Sequence, residues 1–417
     1  MTDIDGIWRE LEQKDRDWGI VGNPFVEAMT DIEILREVFT GRVSEIKTVV
    51  QQLRSVNRSR VLVYGNVGIG KTAFITMILD LFERQEEKTL TAQISLPPKT
   101  ELSTAALIAL ALKMPHDEDA KKILDRFGVI GANTYQKGGT TIKAAWGILN
   151  LENTTEDTPQ QQIQFADLAF NGLLDRVLQT HGRVIIAVDD LDKQDPSTAK
   201  DLLLNAQGLL KSKASFILTG HPSGLSRELL LSSRGLFDRT EELIKLDFDT
   251  TKLMLLNYLN SARDQAREIT DDYAFAPFSS QAADLICRRS NGSPRILNRI
   301  GNYALAEGTE QNLIIIDVQT TERAINKARK AFRDQFNEQE RLLLNSITET
   351  GILSDSNISL KELQQLGAKS FAELLPVLEE LQRRDLIERL PNDGSISYKL
   401  SPLMLPAEPP QPIDPPT

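Results

Sequence analysis

The sequence predicts an α/β fold: a mostly parallel sheet flanked by helices, then a helical segment, then a small domain of three helices and a β-hairpin. Three observations predict it. Short apolar strands alternate with helical patterns between residues 60 and 247. A Gly-rich turn, "GNVGIGKT" at 65–72, joins the first of those strands to the helix after it. Residues 338–400 then read as helix, helix, helix, hairpin. Strand–helix alternation needs crossover connections, and crossovers give parallel strands covered on both faces.

The elements follow in order. Residues 1–34 form an N-terminal segment ahead of a core over 35–249. Five apolar runs read as strands: Val61–Tyr64, Thr89–Ser95, Val184–Val188, Ser215–Thr219 and Leu243–Asp247. "TAFITMILDLF" after the Gly-rich turn reads as a helix. Residues 250–335 carry apolar spacing of three and four in "TKLMLLNYLNSARDQ", "SSQAADLICRRSN", "PRILNRIGNYALAEG" and "DVQTTERAINKARKAF", with no convincing sheet. This is the expected helical lid.

Residues 336–404 form a further domain. "EQERLLLNSITET" is its first helix, and "SLKELQQLG" its second, ended by Gly367. "SFAELLPVLEELQRRDLI" is the third, with Ser370 and Glu373 at capping-box spacing. Pro376 is expected to bend it or delay its start. Phe371, Leu374, Leu378 and Leu381 form its core face. "IERLPNDGSISYKL" is a hairpin turning at Asp393-Gly394. This is the winged-helix pattern, a relative of helix-turn-helix. The Pro-rich tail 405–417 is expected to be disordered.

Composition narrows the function. The 417 residues are 41% hydrophobic and 26% charged, as in ordinary globular proteins. No apolar run reaches the roughly 20 residues of a membrane helix, and the charged N-terminus has no signal-peptide stretch. A single Cys, Cys287, excludes an intrachain disulfide and a thiolate metal cluster, so a cytoplasmic location is expected. His116, His181 and His221 lack metal-ligand spacing. The net charge of −11 argues against indiscriminate nucleic-acid binding and leaves a local basic face open.

Gly65, Asn66, Val67, Gly68, Ile69, Gly70, Lys71 and Thr72 match G-x-x-x-x-G-K-[ST]. The glycines let backbone N–H groups close around phosphates. Lys71 is placed to reach the β and γ oxygens of ATP, and Thr72 to put its hydroxyl on Mg²⁺. "RVIIAVDDLDK" at 183–193 is the expected partner strand, delivering Asp189 to hold Mg²⁺ through water. Asp190 is the candidate to orient the attacking water.

These residues carry a resemblance. "FTGRVSEIKTVVQQL" at 39–53 resembles the F-x-G-R-x-x-E-I box ahead of the first strand in Orc/Cdc-type initiator ATPases of the AAA+ class, a box also present in STAND signalling ATPases. "DDLD" at 189–192 is similar to both groups. Many AAA+ enzymes have Glu second, so the shorter Asp190 implies slow hydrolysis. "SFILTGHP" at 215–222 resembles a sensor-1 strand with Thr219 or His221 as its polar tip. "GSPRILNRIGNYAL" at 292–305 resembles a sensor-2 segment with Arg295. "SSRGLFDR" at 232–239 lies where AAA+ proteins carry an arginine finger, so Arg234 or Arg239 is the candidate. For Arg234, Arg239 and Arg295 a plain surface or salt-bridge role stays open.

The resemblance implies a P-loop AAA+ core with a parallel sheet, a helical lid and a C-terminal winged helix. It implies ATP and Mg²⁺ as cofactors, ATPase activity that is weak without assembly, and a homo-oligomer or hetero-complex. Double-stranded DNA is the implied partner of an initiator-like switch. A protein partner is implied for a STAND-like signalling or defence scaffold, and a transposition regulator shares the core. No membrane is implied. Over 338–400, seven basic residues face eleven acidic ones, a net −4, so DNA contact by this domain stays open. An insertion at 127–151, with Lys137, Lys143 and Trp146, reads as a hairpin that either packs on the core or touches a partner.

Overall fold

The computed structural model describes residues 4–26, 31–96, 100–127, 166–191, 196–220, 236–333, 335–390 and 396–406. The chain divides into two compact units: 28–66 with 70–244, and 1–27 with 67–69 and 245–417. The hairpin expected at 127–151, the Asp393-Gly394 turn, the tail beyond 406, His221 and Arg234 lie outside the described residues.

The first unit is built on a five-stranded sheet. Its strands are β1 (Arg60–Gly65), β2 (Thr89–Ser95), β3 (Arg183–Asp189), β4 (Ser215–Gly220) and β5 (Arg239–Leu243), in the order β2-β3-β4-β1-β5. Every neighbouring pair is parallel. β3 and β4 are buried along nearly their whole lengths, which is why they read as continuous apolar runs. Helix Leu102–Leu112, "LSTAALIALAL", is apolar on all sides, and its residues 104–111 are all buried. A helix without a polar face cannot lie on a surface.

β5 departs from the sequence reading. The strand occupies 239–243, not 243–247. Among the described residues it is an edge strand paired only to β1, from Val61↔Arg239 to Gly65↔Leu243. An edge strand exposes much of its length, so "RTEEL" carries no apolar run for periodicity to detect. Of the apolar residues that suggested a strand at 243–247, Leu243 ends β5, and Ile244 and Leu246 belong to the segment leading into helix Phe248–Asn260.

The second unit contains helices Phe248–Asn260, Ser280–Ser290, Pro294–Glu310 and Val318–Arg333. Residues 1–27 of the N-terminal segment belong to this unit, which their polar sequence did not suggest. Helix Ile4–Trp18 ends with the Trp18 indole N–H donating to the Leu313 carbonyl at 2.9 Å. Phe25 lies 6.0 Å from the Tyr258 ring and 6.1 Å from that of Phe278.

The same unit ends in helices Glu338–Thr350, Leu360–Gln365 and Phe371–Arg383 and a small antiparallel sheet. Its strands are β6 (Leu353–Ser354), β7 (Ile387–Leu390) and β8 (Ser397–Leu400), ordered β6-β8-β7. β6, two residues long, was not legible from pattern. Phe371, Leu374, Leu378 and Leu381 are buried together as expected. The Ser370 capping box does not form: Ser370 makes no side-chain cap, and Glu373 instead accepts from the Lys369 N–H at 2.9 Å. Pro376 sits inside the helix and does not delay its start at Phe371. Among the described residues no helix is long and apolar enough to cross a membrane.

Candidate functional site

The strand order brings the phosphate-loop end of β1 and the acidic end of β3 to one edge of the sheet, with β4 between them. At the usual strand spacing the two ends lie about 10 Å apart. In open α/β sheets the carboxyl ends of the strands are where ligands sit.

The loop leaves β1 at Gly65 and enters helix Lys71–Gln85 through Gly70, the helix N-cap, at φ 94°. That left-handed conformation suits Gly and strains a residue with a Cβ. Gly68 has φ +81°, and a Cβ there would fall 2.9 Å from the Arg295 Cβ within the second unit. Lys71 is 8% exposed, and its Nζ donates to the carbonyls of Gly65 (2.8 Å) and Asn66 (3.1 Å). The ammonium is thus held along the loop.

Asp189 ends β3 with no exposed surface. Two hydroxyls serve its carboxylate. Thr72 Oγ1 donates to Oδ2 at 2.5 Å, and Thr219 Oγ1 donates to Oδ1. The Asp190 N–H then donates to Thr219 Oγ1 at 3.0 Å and to Asp189 Oδ1 at 3.1 Å. Asp190 itself is left-handed, φ 66°. Few side chains tolerate that conformation, and Asp is among them. Side chains from three elements therefore converge: Lys71 and Thr72 at the start of one helix, Asp189 at the end of β3 and Thr219 on β4, with Asp190 at their edge.

These donors fit a nucleotide with Mg²⁺. A hydroxyl and a carboxylate are the hard oxygen ligands Mg²⁺ prefers, and that ion keeps several waters and takes its other ligands from phosphate. Among the described residues no group of three His, Cys, Asp or Glu that could hold a metal ion by itself occurs.

Behind the loop is a brace that the sequence reading missed. Thr76 Oγ1, one turn after Thr72, lies 2.8 Å from the Thr72 carbonyl oxygen and 2.9 Å from Gln93 Oε1, which share its single proton. Gln93 is 5% exposed on β2. Its signal was present: a lone amide in the apolar run "TLTAQIS", where burial demands a partner.

The remaining candidates lie elsewhere. Arg239 opens β5 beside Val61, four residues from the Gly65 end, so it stands ~13 Å back along the sheet. It is exposed and pairs with Glu241 at 3.2 Å. Arg295 belongs to the second unit, at the start of helix Pro294–Glu310. It is exposed, and its backbone N–H donates to the Gly68 carbonyl at 3.3 Å. Arg42, from the box at 39–53, is buried and left-handed at φ 64°. Its guanidinium donates to the Ile244 carbonyl and meets Glu45 at 3.3 Å, and burial pushes it below the usual arginine range.

Residues 38–218 match the family described as AAA ATPase domain. The match spans the loop, β3 and the first four residues of β4. Over those residues the chain is similar to an AAA ATPase domain. No curated protein is detectably similar to the chain by sequence. Among solved structures, the chain is similar to Cdc6p from Pyrobaculum aerophilum, at 13% identity and TM-score 0.47, over 92% of this chain and 95% of that one. It is similar to the Orc1 protein of Aeropyrum pernix, solved in complex with DNA, at 14% identity and TM-score 0.46, over 88% and 90%. It is also similar to the RuvB Holliday junction branch migration motor of Thermotoga maritima, at 14% identity and TM-score 0.42, over 91% and 96%.

Proposed function

We propose that the AAA ATPase domain binds ATP with Mg²⁺ between the 65–72 loop and Asp189. On this reading it hydrolyses ATP slowly and serves as an assembly-linked switch on DNA or within a DNA-associated complex. The observation that carries the nucleotide reading is the Thr72–Asp189 contact at 2.5 Å, beside the loop that holds Lys71.

On this reading Gly65, Gly68 and Gly70 shape the loop, and Lys71 turns from the loop carbonyls to the phosphate oxygens. Thr72 and Asp189 hold the magnesium ion, which when bound supplies positive charge against the phosphates. Asp190 accepts a hydrogen bond from the attacking water, and its short side chain and left-handed backbone limit how far it reaches. Thr219 acts through Asp189 and the Asp190 N–H. Arg295 senses the γ-phosphate. A finger, Arg234 or Arg239, completes the site of another subunit, where a cation stabilises charge on the transferred phosphoryl.

The C-terminal helices and three-stranded sheet have the element order of a winged helix. With a net charge of −4 over 338–400, DNA contact here would rest on a local basic face. The test is fluorescence anisotropy with labelled ATP and, separately, labelled duplex DNA at two salt concentrations, with ATP–Mg²⁺ or ADP. Lys71→Ala is expected to abolish ATP binding; unchanged affinity would overturn the site. DNA binding that requires ATP and weakens with salt supports the DNA-loaded switch. Binding of ATP without DNA in any state would leave a switch acting on protein partners.

A further inference from the structure

The C-terminal elements have their own apolar core, which includes Leu343, Ile347, Leu374, Leu378 and Tyr398. Where they meet the helical bundle of the same unit, a cluster of charged and polar groups carries contacts of another kind. Lys245 Nζ pairs with Glu388 Oε1 at 2.8 Å, and the Asn291 amide donates to the same oxygen. The Ser293 hydroxyl donates to Asp385 Oδ2 at 3.3 Å, and Lys245 Nζ lies 3.8 Å from Asp385 Oδ1. Asn291 is the left-handed C-cap of helix Ser280–Ser290, and Ser293 is the N-cap of helix Pro294–Glu310. The Leu246 N–H donates to the Gly292 carbonyl at 3.2 Å, so the segment after β5 runs along this same turn.

We propose that this junction is a releasable latch for the C-terminal domain, in which Glu388 holds the domain and Asp385 opposes it. Two carboxylates share one ammonium. Glu388 takes the close position and gains an amide besides. Asp385, with its side chain 7% exposed, keeps a distant cation and one long hydrogen bond. A buried carboxylate with so few donors costs stability whenever it is ionised.

The charged groups facing Asp385 among the described residues are Lys245 and Arg295, which favour its ionised form, and Glu388, which opposes it. Burial outweighs them and pushes the carboxyl up to about 6 from 3.8. Burial works against Glu388 too, yet Lys245, Asn291 and Lys399 hold it below the usual carboxylate range. A raised acid contributes stability that is present below pH 3.8 and is lost as pH rises through about 6. At neutral pH the latch is therefore loaded against itself, which lets modest forces open it. This holds whether or not the chain binds nucleotide.

The test is hydrogen exchange of the full-length protein without nucleotide, read at 386–390 and 291–295, with 343–347 as a control for the domain core. Asp385→Asn keeps the side chain's shape and suits the left-handed backbone at φ 57°. At pH 7 it is expected to slow junction exchange by up to about a hundredfold, the effect of a shift of about two pK units. Glu388→Gln is expected to speed it about tenfold, with core exchange unchanged in both. The advantage of Asp385→Asn over wild type should shrink as pH falls from about 6 toward 4, which a purely conformational effect of Asn would not do. If Glu388→Gln also disturbs the core, Asn291→Ala replaces it and should speed junction exchange several-fold. Loosening by Asp385→Asn, or wild-type exchange in that variant at pH 7, overturns the latch.

Discussion

Asp189, at the end of β3, and Asp385, after helix Phe371–Arg383, are both removed from water, at 0% and 6% exposure. Their surroundings differ. Asp189 has a hydroxyl on each oxygen, from Thr72 and Thr219, and its neighbour's backbone N–H is drawn into the same cluster. Asp385 has one hydroxyl at 3.3 Å and a cation at 3.8 Å that Glu388 already engages. Burial alone therefore says little about a carboxylate. What decides is whether donors are fixed around it before the charge arrives. The first arrangement is a rigid site where a charge is wanted. The second is a charge the fold tolerates at a cost.

The comparison can be broken most sharply at Asp189. Asp189→Asn puts an amide N–H against one of two donating hydroxyls, leaving a buried donor unpaired. Each lost charged bond is worth about 1.5–3 kcal/mol, so the melting temperature should fall together with at least a hundredfold loss of ATP hydrolysis. A variant as stable as wild type would show the hydroxyls do not depend on the charge.

Thr219→Val comes next. It keeps the shape and removes the hydroxyl that joins Asp189 to the Asp190 backbone. Steady-state kinetics should show kcat down by roughly ten- to a hundredfold, as for loss of one positioned catalytic group, with ATP affinity little changed. Thr219→Ser should restore most of it. Equal loss in the Ser and Val variants would point to packing instead.

Asp385→Asn should act with the opposite sign. Chemical denaturation at pH 7 is expected to show a gain of up to about 3 kcal/mol, from a shift of about two pK units. The gain should shrink as pH falls from about 6 and disappear below pH 3.8, where Asp385 is protonated in both states. Destabilisation at pH 7 would mean the carboxylate is better served than its neighbours suggest. Ser293→Ala should have the smallest effect, about 0.5 kcal/mol or less at pH 7, because its bond is long. A loss of 2 kcal/mol would show that this hydroxyl supports the charge as strongly as those around Asp189.

Much of this was legible in order along the chain. The 65–72 loop, the helix after it, four of five strands and the helices between 248 and 383 follow from apolar spacing and Gly placement, because those signals are local. β5 was displaced because an edge strand has little apolar surface to declare itself. The short β6 was missed, and the N-terminal helix was not seen as part of the bundle, since Trp18 and Phe25 find their partners nearly 300 and 250 residues away.

The sequence by itself determined the chemistry on offer: a Lys and a Thr after a Gly-rich turn, two carboxylates after an apolar strand, and a polar residue at the tip of the next. Those are covalent facts and short-range preferences. Only the tertiary structure decided who satisfies whom. It turned Thr219 toward Asp189, set Asp190 in a left-handed conformation and left Arg239 at the far end of the sheet. It also gave Asp189 two hydroxyl donors and Asp385 barely one. Hydrogen-bond satisfaction is a property of positions within about 3 Å in space, and the chain reaches those positions from residues more than a hundred apart in sequence.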